Sequence, residues 1–331
     1  MKLLITGGAG FIGSHFIHYL LKSRPQAEVI NLDLLTYAGN LENLKDLESE
    51  KRYRFVKGDI LDTELVNSLI SGCDGIINFA AESHVDRSIS GPGTFVQTNV
   101  VGAQRLLENA KKNKMRLLQV STDEVYGSLG EQGQFTESSP LEPNSPYSSS
   151  KAASDLMCRA YFHTYNADVV VTRCSNNYGP FQFPEKLIPL MIANARAEKS
   201  LPVYGDGLHV RDWIHVKDHC AAILLVFEKG RAGEVYNVGS NEEWPNIEIV
   251  KRILNELKRP ESLISFVKDR PGHDRRYALN SSKIQKELGW RPEIPFEKGL
   301  KETIGWYLNN EAWVQNLLTG EYLKYYEEQY S

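Results

Sequence analysis

Tyr147 and Lys151 stand four residues apart in Ser145-Pro146-Tyr147-Ser148-Ser149-Ser150-Lys151, at the head of a helical pattern. That spacing puts a phenol and an ammonium on one helical face, where both can approach the same point. Ser145 is a suitable cap for such a helix, and Pro146 fits its first turn. Upstream, Leu117-Leu118-Gln119-Val120 reads as a buried strand that ends in Ser121-Thr122-Asp123-Glu124. Two carboxyls at a strand end beside a Tyr/Lys pair make a set of proton-transfer groups. The plainer alternatives are a helix cap and a solvated face for the two acids, and an ordinary exposed helix pair for Tyr147 and Lys151. As chemistry, the set needs a redox partner and a substrate.

The N-terminus offers the redox partner. A short apolar strand over residues 2–6 runs into Gly7-Gly8-Ala9-Gly10-Phe11-Ile12-Gly13, followed by an amphipathic helix to about Leu21. Glycines at this spacing between strand and helix give a tight turn, a close backbone approach and close helix–strand packing. The helix start presents free N–H groups and a positive dipole end to a pyrophosphate. A second strand, residues 28–32, ends at Asp33, where a carboxylate accepts from both ribose hydroxyls and repels a 2′-phosphate. The expected cofactor is therefore NAD rather than NADP, the alternative for Asp33 being a helix cap.

Further strands are expected at residues 53–57, 75–79 and 117–121, with a sixth at 168–173, alternating with helices at 62–70, 91–112 and 147–165. Such βαβ alternation requires a parallel sheet with right-handed crossovers, and ligands bind outside the carboxyl ends of its strands. Gly7, Asp33, Asp59, Ala80 and Thr122 all fall at those ends. Asp59 and Ile60 follow the third strand, and the Asp59 carboxylate is placed to reach an adenine amino group. The small pair Ala80-Ala81 lets backbone approach the cofactor, and Thr98 faces back towards the sheet. After residue 173 the alternation fails. Asn176-Asn177-Tyr178-Gly179-Pro180 is turn-rich, residues 184–197 read as a short loop then helix, short strands are expected at 202–205 and 210–216, and helices at 217–227, 246–257 and 295–309. The expected fold is α/β: a Rossmann-type doubly wound parallel sheet over residues 1–175, and a smaller C-terminal α/β substrate-binding region over 176–331 that is interleaved with it rather than independently folded. Trp313, Tyr322, Tyr325 and Tyr326 in the tail are expected to serve packing or an interface.

Bulk properties narrow the class. A hydrophobic fraction of 41% and a charged fraction of 24% are ordinary for a soluble globular protein. A net charge of -4 and a pI near 6.1 argue against a surface for nucleic acid, while leaving room for a local phosphate site. The first apolar run is too short for a signal-peptide core, and no stretch reaches the ~18 residues of a membrane span. Cys73, Cys158, Cys174 and Cys220 are scattered without a CxxC, so buried reduced thiols in a reducing cytoplasm are expected. The eight histidines show no metal-binding pattern, and no metal is expected.

The glycine run, the Tyr147/Lys151 pair and Arg211-Asp212-Trp213-Ile214-His215-Val216-Lys217-Asp218 together resemble the extended short-chain dehydrogenase/reductase family. Thr122-Asp123-Glu124, the 80–88 segment Ala80-Ala81-Glu82-Ser83-His84-Val85-Asp86-Arg87-Ser88, Phe183-Pro184-Glu185-Lys186-Leu187 and Asp269-Arg270-Pro271-Gly272-His273 resemble its members that dehydrate nucleotide sugars. The resemblance implies that a nucleoside-diphosphate glucose is converted to its 4-keto-6-deoxy derivative, as in the synthesis of deoxysugars such as rhamnose. It implies Tyr147 as base on the C4 hydroxyl, helped by Lys151, with Thr122 on the C4 oxygen, Glu124 as base at C5 and Asp123 as acid at C6. Ser121 and Asn177 join the cofactor site. Ser83, Asn176, Lys186 and Leu187 are implied near sugar or phosphate, Pro202 and Tyr204 at the base, and Arg211 and Asn246 at diphosphate and nucleoside positions, with Arg270 and His273 in the final loop of the substrate site. His84 and Asp86 remain loop-shaping residues. A homodimer through the helices at about 91–112 and 148–165 is also implied. A nucleotide-sugar 4-epimerase would need the same Tyr/Lys pair and NAD but has no use for Asp123 and Glu124, and a non-catalytic NAD-binding protein would need none of the four. Whether the base is thymine or uracil stays open, because hydrophobic pockets discriminate one methyl group weakly.

Overall fold

A computed structural model describes residues 1–317; Tyr322, Tyr325 and Tyr326 lie outside them. In chain order the strands are β1 (Lys2–Thr6), β2 (Glu28–Asp33), β3 (Tyr53–Lys57), β4 (Gly75–Asn78), β5 (Arg116–Thr122), β6 (Val169–Cys174), β7 (Asn176–Tyr178), β8 (Leu201–Tyr204), β9 (Val210–His215), β10 (Val235–Val238), β11 (Glu243–Pro245) and β12 (Ile264–Val267). Seven of them form one sheet in the order β10-β6-β5-β4-β1-β2-β3, all parallel. β11-β9-β7 and β12-β8 form two small sheets at its carboxyl end.

The central strands are apolar along their whole length because both faces are covered. Leu3, Leu4, Ile5, Ile76, Ile77, Leu117 and Leu118 are fully buried, as strands of a parallel sheet with helices on both sides must be. One face packs on Phe16, Leu20 and Val226, the other on Val66, Leu106 and Tyr161. Each such side chain contributes about 1.5–3 kcal/mol by leaving water. A separate apolar cluster, with Met191, Val250, Phe296 and Tyr307, holds the smaller region together. Chain order reverses at β1, between β2 on one side and β4 on the other, and a crevice at such a switch point is where ligands bind.

The Pro146–Tyr165 helix begins as its sequence dictates. Ser145 accepts from the Ser148 N–H, the Ser148 hydroxyl accepts from the Ser145 N–H, and Pro146 sits at the first helical position. Four readings of the sequence need correction. The seventh strand of the main sheet is Val235–Val238, sixty residues beyond its neighbour β6 and too short to reveal a period. Residues 82–88 are not all loop, since Val85–Ser90 is a helix begun at His84. The expected helix at 91–112 is interrupted: Pro92–Phe95 is α-helical, Val96–Gly102 is a π-helix, and Ala103–Lys112 resumes the α-helix. The wide turns carry Thr98 and Asn99, in keeping with π-segments marking functional positions. The turn-rich 176–180 segment contains the three-residue strand β7, ended by Gly179 at φ 151 and Pro180. Among the described residues no helix is long and apolar enough to cross a membrane.

Candidate active site

A cleft opens at the carboxyl end of the main sheet. Every residue expected to hold the dinucleotide lines it, from Gly7, Gly10, Phe11, Ile12 and Gly13 through Asp33, Asp59, Ile60, Ala80, Ala81 and Thr98 to Ser121, Tyr147, Lys151 and Asn177. The glycines there are sterically required. A Cβ on Gly7, at φ 69, would lie 2.5 Å from the Ala80 nitrogen, and one on Gly13 would lie 2.4 Å from the Gly7 carbonyl oxygen. Gly10 caps the Phe11–Ser23 helix without a side-chain hydrogen bond, so the first-turn N–H groups are left to an anion.

Asp33 is buried at the end of β2. Its Oδ2 accepts from the Ala9 N–H at 2.9 Å and its Oδ1 from the Leu35 N–H at 2.8 Å. Burial raises its pKa while these two bonds oppose the rise. A carboxylate has about four acceptor positions, so two amide bonds leave capacity for ribose hydroxyls. The Ser121 hydroxyl, buried near the end of β5, has no hydrogen-bond partner among the described residues. Glycine cradle, exposed helix start, acceptor acid and unpaired hydroxyl together fit NAD.

Thr122 ends β5 and caps the one-turn helix Asp123–Tyr126 by accepting from the Glu124 N–H. The cap that sequence offered as an alternative for the acids is thus filled by Thr122, and both carboxyls line the cleft. Asp123 is 2% exposed, receives the Thr122 hydroxyl on Oδ1 at 3.2 Å, and leaves Oδ2 buried without a hydrogen-bond partner among the described residues. Burial, then the charges of Glu124 and Asp212, hold its pKa well above the usual carboxylate range. Burial raises Glu124 too, but the nearby cations Arg270, Lys186 and Arg211 pull it back. The environments push the two carboxyls apart.

Tyr147 and Lys151 are buried on the same helix, and both line the cleft. The Lys151 ammonium donates to the Val120 carbonyl at 2.7 Å. Its pKa is lowered by burial, against which Asp155 is the largest opposing charge. The family resemblance implies that Lys151 and the positive nicotinamide together favour the phenolate, and burial of the phenol acts the other way. Burial, then the charge of Glu124, raises Tyr147 well above 10, and the Thr122 hydrogen bond opposes the rise.

Of the expected substrate residues, Ser83, Thr122, Asn176 and Lys186 line the same cleft, and Lys186 Nζ donates to the Ser83 carbonyl at 3.0 Å. Leu187, Pro202, Tyr204, Arg211, Asn246, Arg270 and His273 are not part of that lining. Arg211 lies flat on Tyr277, 4.3 Å from the ring centre, and donates to the carbonyls of Val210 and Asp274. Arg270 faces Asp86 at 3.6 Å and Tyr204 donates to the same carboxylate at 3.2 Å, so Asp86 ties its helix to the smaller region. Asn246 begins the Asn246–Glu256 helix, Leu187 begins Leu187–Arg196, and Pro202 is buried in β8. His273 bonds Asp269 at 2.6 Å and stacks on His209 at 3.7 Å, a trio that sequence spacing does not reveal. Three further residues escaped the sequence reading: Tyr37, Arg87 and Glu185. Glu185 lines the cleft, and its signal was an acid standing alone in the turn-rich, aromatic 181–187 segment.

Residues 4–303 match the family model described as GDP-mannose 4,6 dehydratase, and the chain belongs to that family. Its relatives are narrower in kind. It is 56% identical to a dTDP-glucose 4,6-dehydratase of Xanthomonas campestris pv. campestris, covering 96% of both chains. The solved dTDP-glucose 4,6-dehydratases of Bacillus anthracis and Streptomyces venezuelae, both with NAD bound, share 54% and 53% identity. Their TM-scores are 0.91 and 0.94, with 96% of this chain covered and 99% and 100% of theirs. A UDP-glucose 4-epimerase of Thermotoga maritima has the same fold at a TM-score of 0.87 but only 29% identity, over 94% of this chain and all of that one.

Proposed function

We propose that this chain is an NAD-dependent hydro-lyase that converts dTDP-glucose to dTDP-4-keto-6-deoxyglucose. The observation that carries the reading is the Asp123–Glu124 pair at the strand end, Asp123 buried and Glu124 half-buried, in one cleft with Tyr147 and Lys151. Bound NAD supplies a hydride acceptor at C4 and, later, a hydride donor at C6. Tyr147 takes the proton of the C4 hydroxyl. Because its surroundings raise the phenol, a positive charge brought by the cofactor is needed beside Lys151 before it serves as a base. Thr122 steadies the C4 oxygen through its hydroxyl.

Once C4 is a ketone, the C5 proton is acidic enough for Glu124 to remove. Asp123, kept protonated by burial and by its acidic neighbours, gives its proton to the C6 hydroxyl, which leaves as water. Glu124 then returns its proton to C5 as hydride reaches C6. An epimerase has no step for either acid, which is why the pair favours dehydration over epimerisation on this scaffold. Lys186 and Ser83 sit at the cleft wall for sugar or phosphate. Arg211 and Arg270 favour the anionic end of the nucleotide, with Tyr204 and Pro202 towards the base.

The chain works as a homodimer through the Ala103–Lys112 and Pro146–Tyr165 helices; Leu156, 55% exposed on the latter, is the apolar group an interface there would cover. Leu156→Asp would then turn a dimer into a monomer in size-exclusion chromatography with light scattering. All four cysteines are free thiols, consistent with work in the reducing cytoplasm. The decisive experiment offers dTDP-glucose carrying deuterium at C4, and UDP-glucose separately, with products read by mass and NMR. The deuterium is expected on the C6 methyl of the thymidine product. Label lost to water, or retained at C4, excludes the reading.

A further inference from the structure

In the proposed reaction the nicotinamide that takes hydride must give it back to the same sugar, so a cofactor that leaves in mid-cycle strands an oxidised intermediate. We propose that Tyr37, Arg87 and Glu185 form a clasp across the cleft that keeps NAD resident through many turnovers. The inference rests on the dehydratase reading above and names residues for a task that its chemistry requires.

Three stretches far apart in sequence wall the cleft: residues 36–39 after β2, 80–83 after β4, and 181–186 after β7. Tyr37 belongs to the first stretch and Glu185 to the third, while Arg87 lies on the Val85–Ser90 helix that follows the second. The Tyr37 hydroxyl donates to Glu185 Oε1 at 3.0 Å across 148 residues of chain. Arg87 Nε lies 3.4 Å from Glu185 Oε2, and its guanidinium sits 4.0 Å over the Tyr37 ring. Tyr37 also meets Phe183 edge-to-face at 5.5 Å. The Glu185 side chain is only 1% exposed, so its charge is held by partners on the loop after β2 and on the Val85–Ser90 helix, and separating these segments would strand it.

The loops behind the clasp are braced. Leu35, two residues before Tyr37, adopts φ 57, and its N–H is fixed on Asp33, the acid expected at the ribose. Phe181 adopts φ 63 between Pro180, whose carbonyl bonds His15 at 2.8 Å, and the rings of Trp306 and Trp313. Non-glycine residues in this conformation persist only where their surroundings over-determine them. Trp313 in turn donates to Asn43 at 2.9 Å, so the last described helix, Glu311–Leu317, is tied to the segment following Tyr37. The tie runs from one half of the chain to the other at the cofactor cleft.

The test uses wild-type protein, Tyr37→Phe and Glu185→Gln. NAD per chain is measured by acid extraction and chromatography at intervals during exhaustive dialysis, with circular dichroism and thermal denaturation run alongside at saturating NAD. Wild type is expected to retain NAD, and Tyr37→Phe to release it about tenfold to a hundredfold faster, the range for one hydrogen bond to a charged acceptor. Added NAD should restore the variant's kcat at unchanged melting temperature, a split that a purely structural role for Tyr37 would not give. If both variants hold NAD as long as wild type, the clasp is wrong and the dehydratase reading stands. If wild type never holds NAD, the dehydratase reading itself fails.

Discussion

Lys151 Nζ donates to the backbone carbonyl of Val120 at 2.7 Å, tying the helix that carries Tyr147 to the strand that ends in Thr122, Asp123 and Glu124. The phenol and the two acids are thereby held in one frame, and a small relative movement of helix and strand would part base from acid. Lys151→Met removes the donor and leaves a buried acceptor. The expected cost is about 1–3 kcal/mol of stability, seen as a lower denaturation midpoint. A loss of roughly 10²–10⁴ in turnover should accompany it, since the phenol also loses its cationic neighbour.

Asp123→Asn separates the two halves of the reaction. The variant keeps the hydrogen-bonding shape but has no proton to give at C6. It should retain NAD and oxidise C4 slowly while failing to dehydrate, which single-turnover absorbance of reduced cofactor would record. A wild-type rate of dehydration would remove Asp123 as the acid. The substitution also has a sign in stability. Because the folded pKa of Asp123 is raised above its ordinary 3.8, the folded chain holds a proton that the unfolded chain has released, and wild type loses stability as pH rises through that interval. Asp123→Asn escapes this loss, so its advantage over wild type should grow with pH.

Asp212 gives a second pH signature. It is fully buried, accepts from Ser240 and the Glu242 N–H on Oδ1, and has no hydrogen-bond partner for Oδ2 among the described residues. Burial pushes it up to about 6 from 3.8, so wild type should lose stability between those values as pH rises, by up to about 3 kcal/mol. Asp212→Asn should flatten the stability profile there. The groups acting on Asp123 are Glu124, Asp212, Arg211 and Thr122, and Asp212 is the one of the two repelling acids outside the reaction. Its removal should lower the pKa of Asp123 and move the alkaline limb of dehydration to lower pH, in kcat measured across the range.

The parts of this site legible in sequence are those whose signal is local. The glycine run, the acid at the end of β2 and the Tyr/Lys pair each occupy a few residues, and the βαβ pattern aligns them at one end of the sheet. What escaped depends on partners far away in the chain. Glu185 gains its meaning from Tyr37, 148 residues earlier, and Val235–Val238 from a strand ended sixty residues before it. The π-helix at Val96–Gly102 changes hydrogen-bond register without changing composition, so periodicity reports one long helix there. The raised phenol of Tyr147 is a property of burial, which spacing along a helix cannot supply.

Asp155, one turn beyond Lys151, supports both the fold and the site. It accepts from Arg173 Nε at 2.8 Å, Arg173 donates to the Tyr126 hydroxyl at 2.9 Å, and Tyr126 donates to Asn237 Oδ1 at 2.7 Å. The chain of bonds joins the Pro146–Tyr165 helix to β6 and to β10, the strand contributed from beyond the turn-rich segment. Asp155→Ala strands a buried guanidinium and should cost about 3–5 kcal/mol in chemical denaturation. Asp155→Asn keeps an acceptor for Arg173 and removes only the charge, so its loss of stability should be smaller. Since Asp155 is the largest charge favouring the Lys151 ammonium, the same variant should lower the pH at which Lys151 loses its proton. The alkaline limb of kcat/KM would then move down in Asp155→Asn at nearly full fold content, and an unmoved limb would confine Asp155 to the fold.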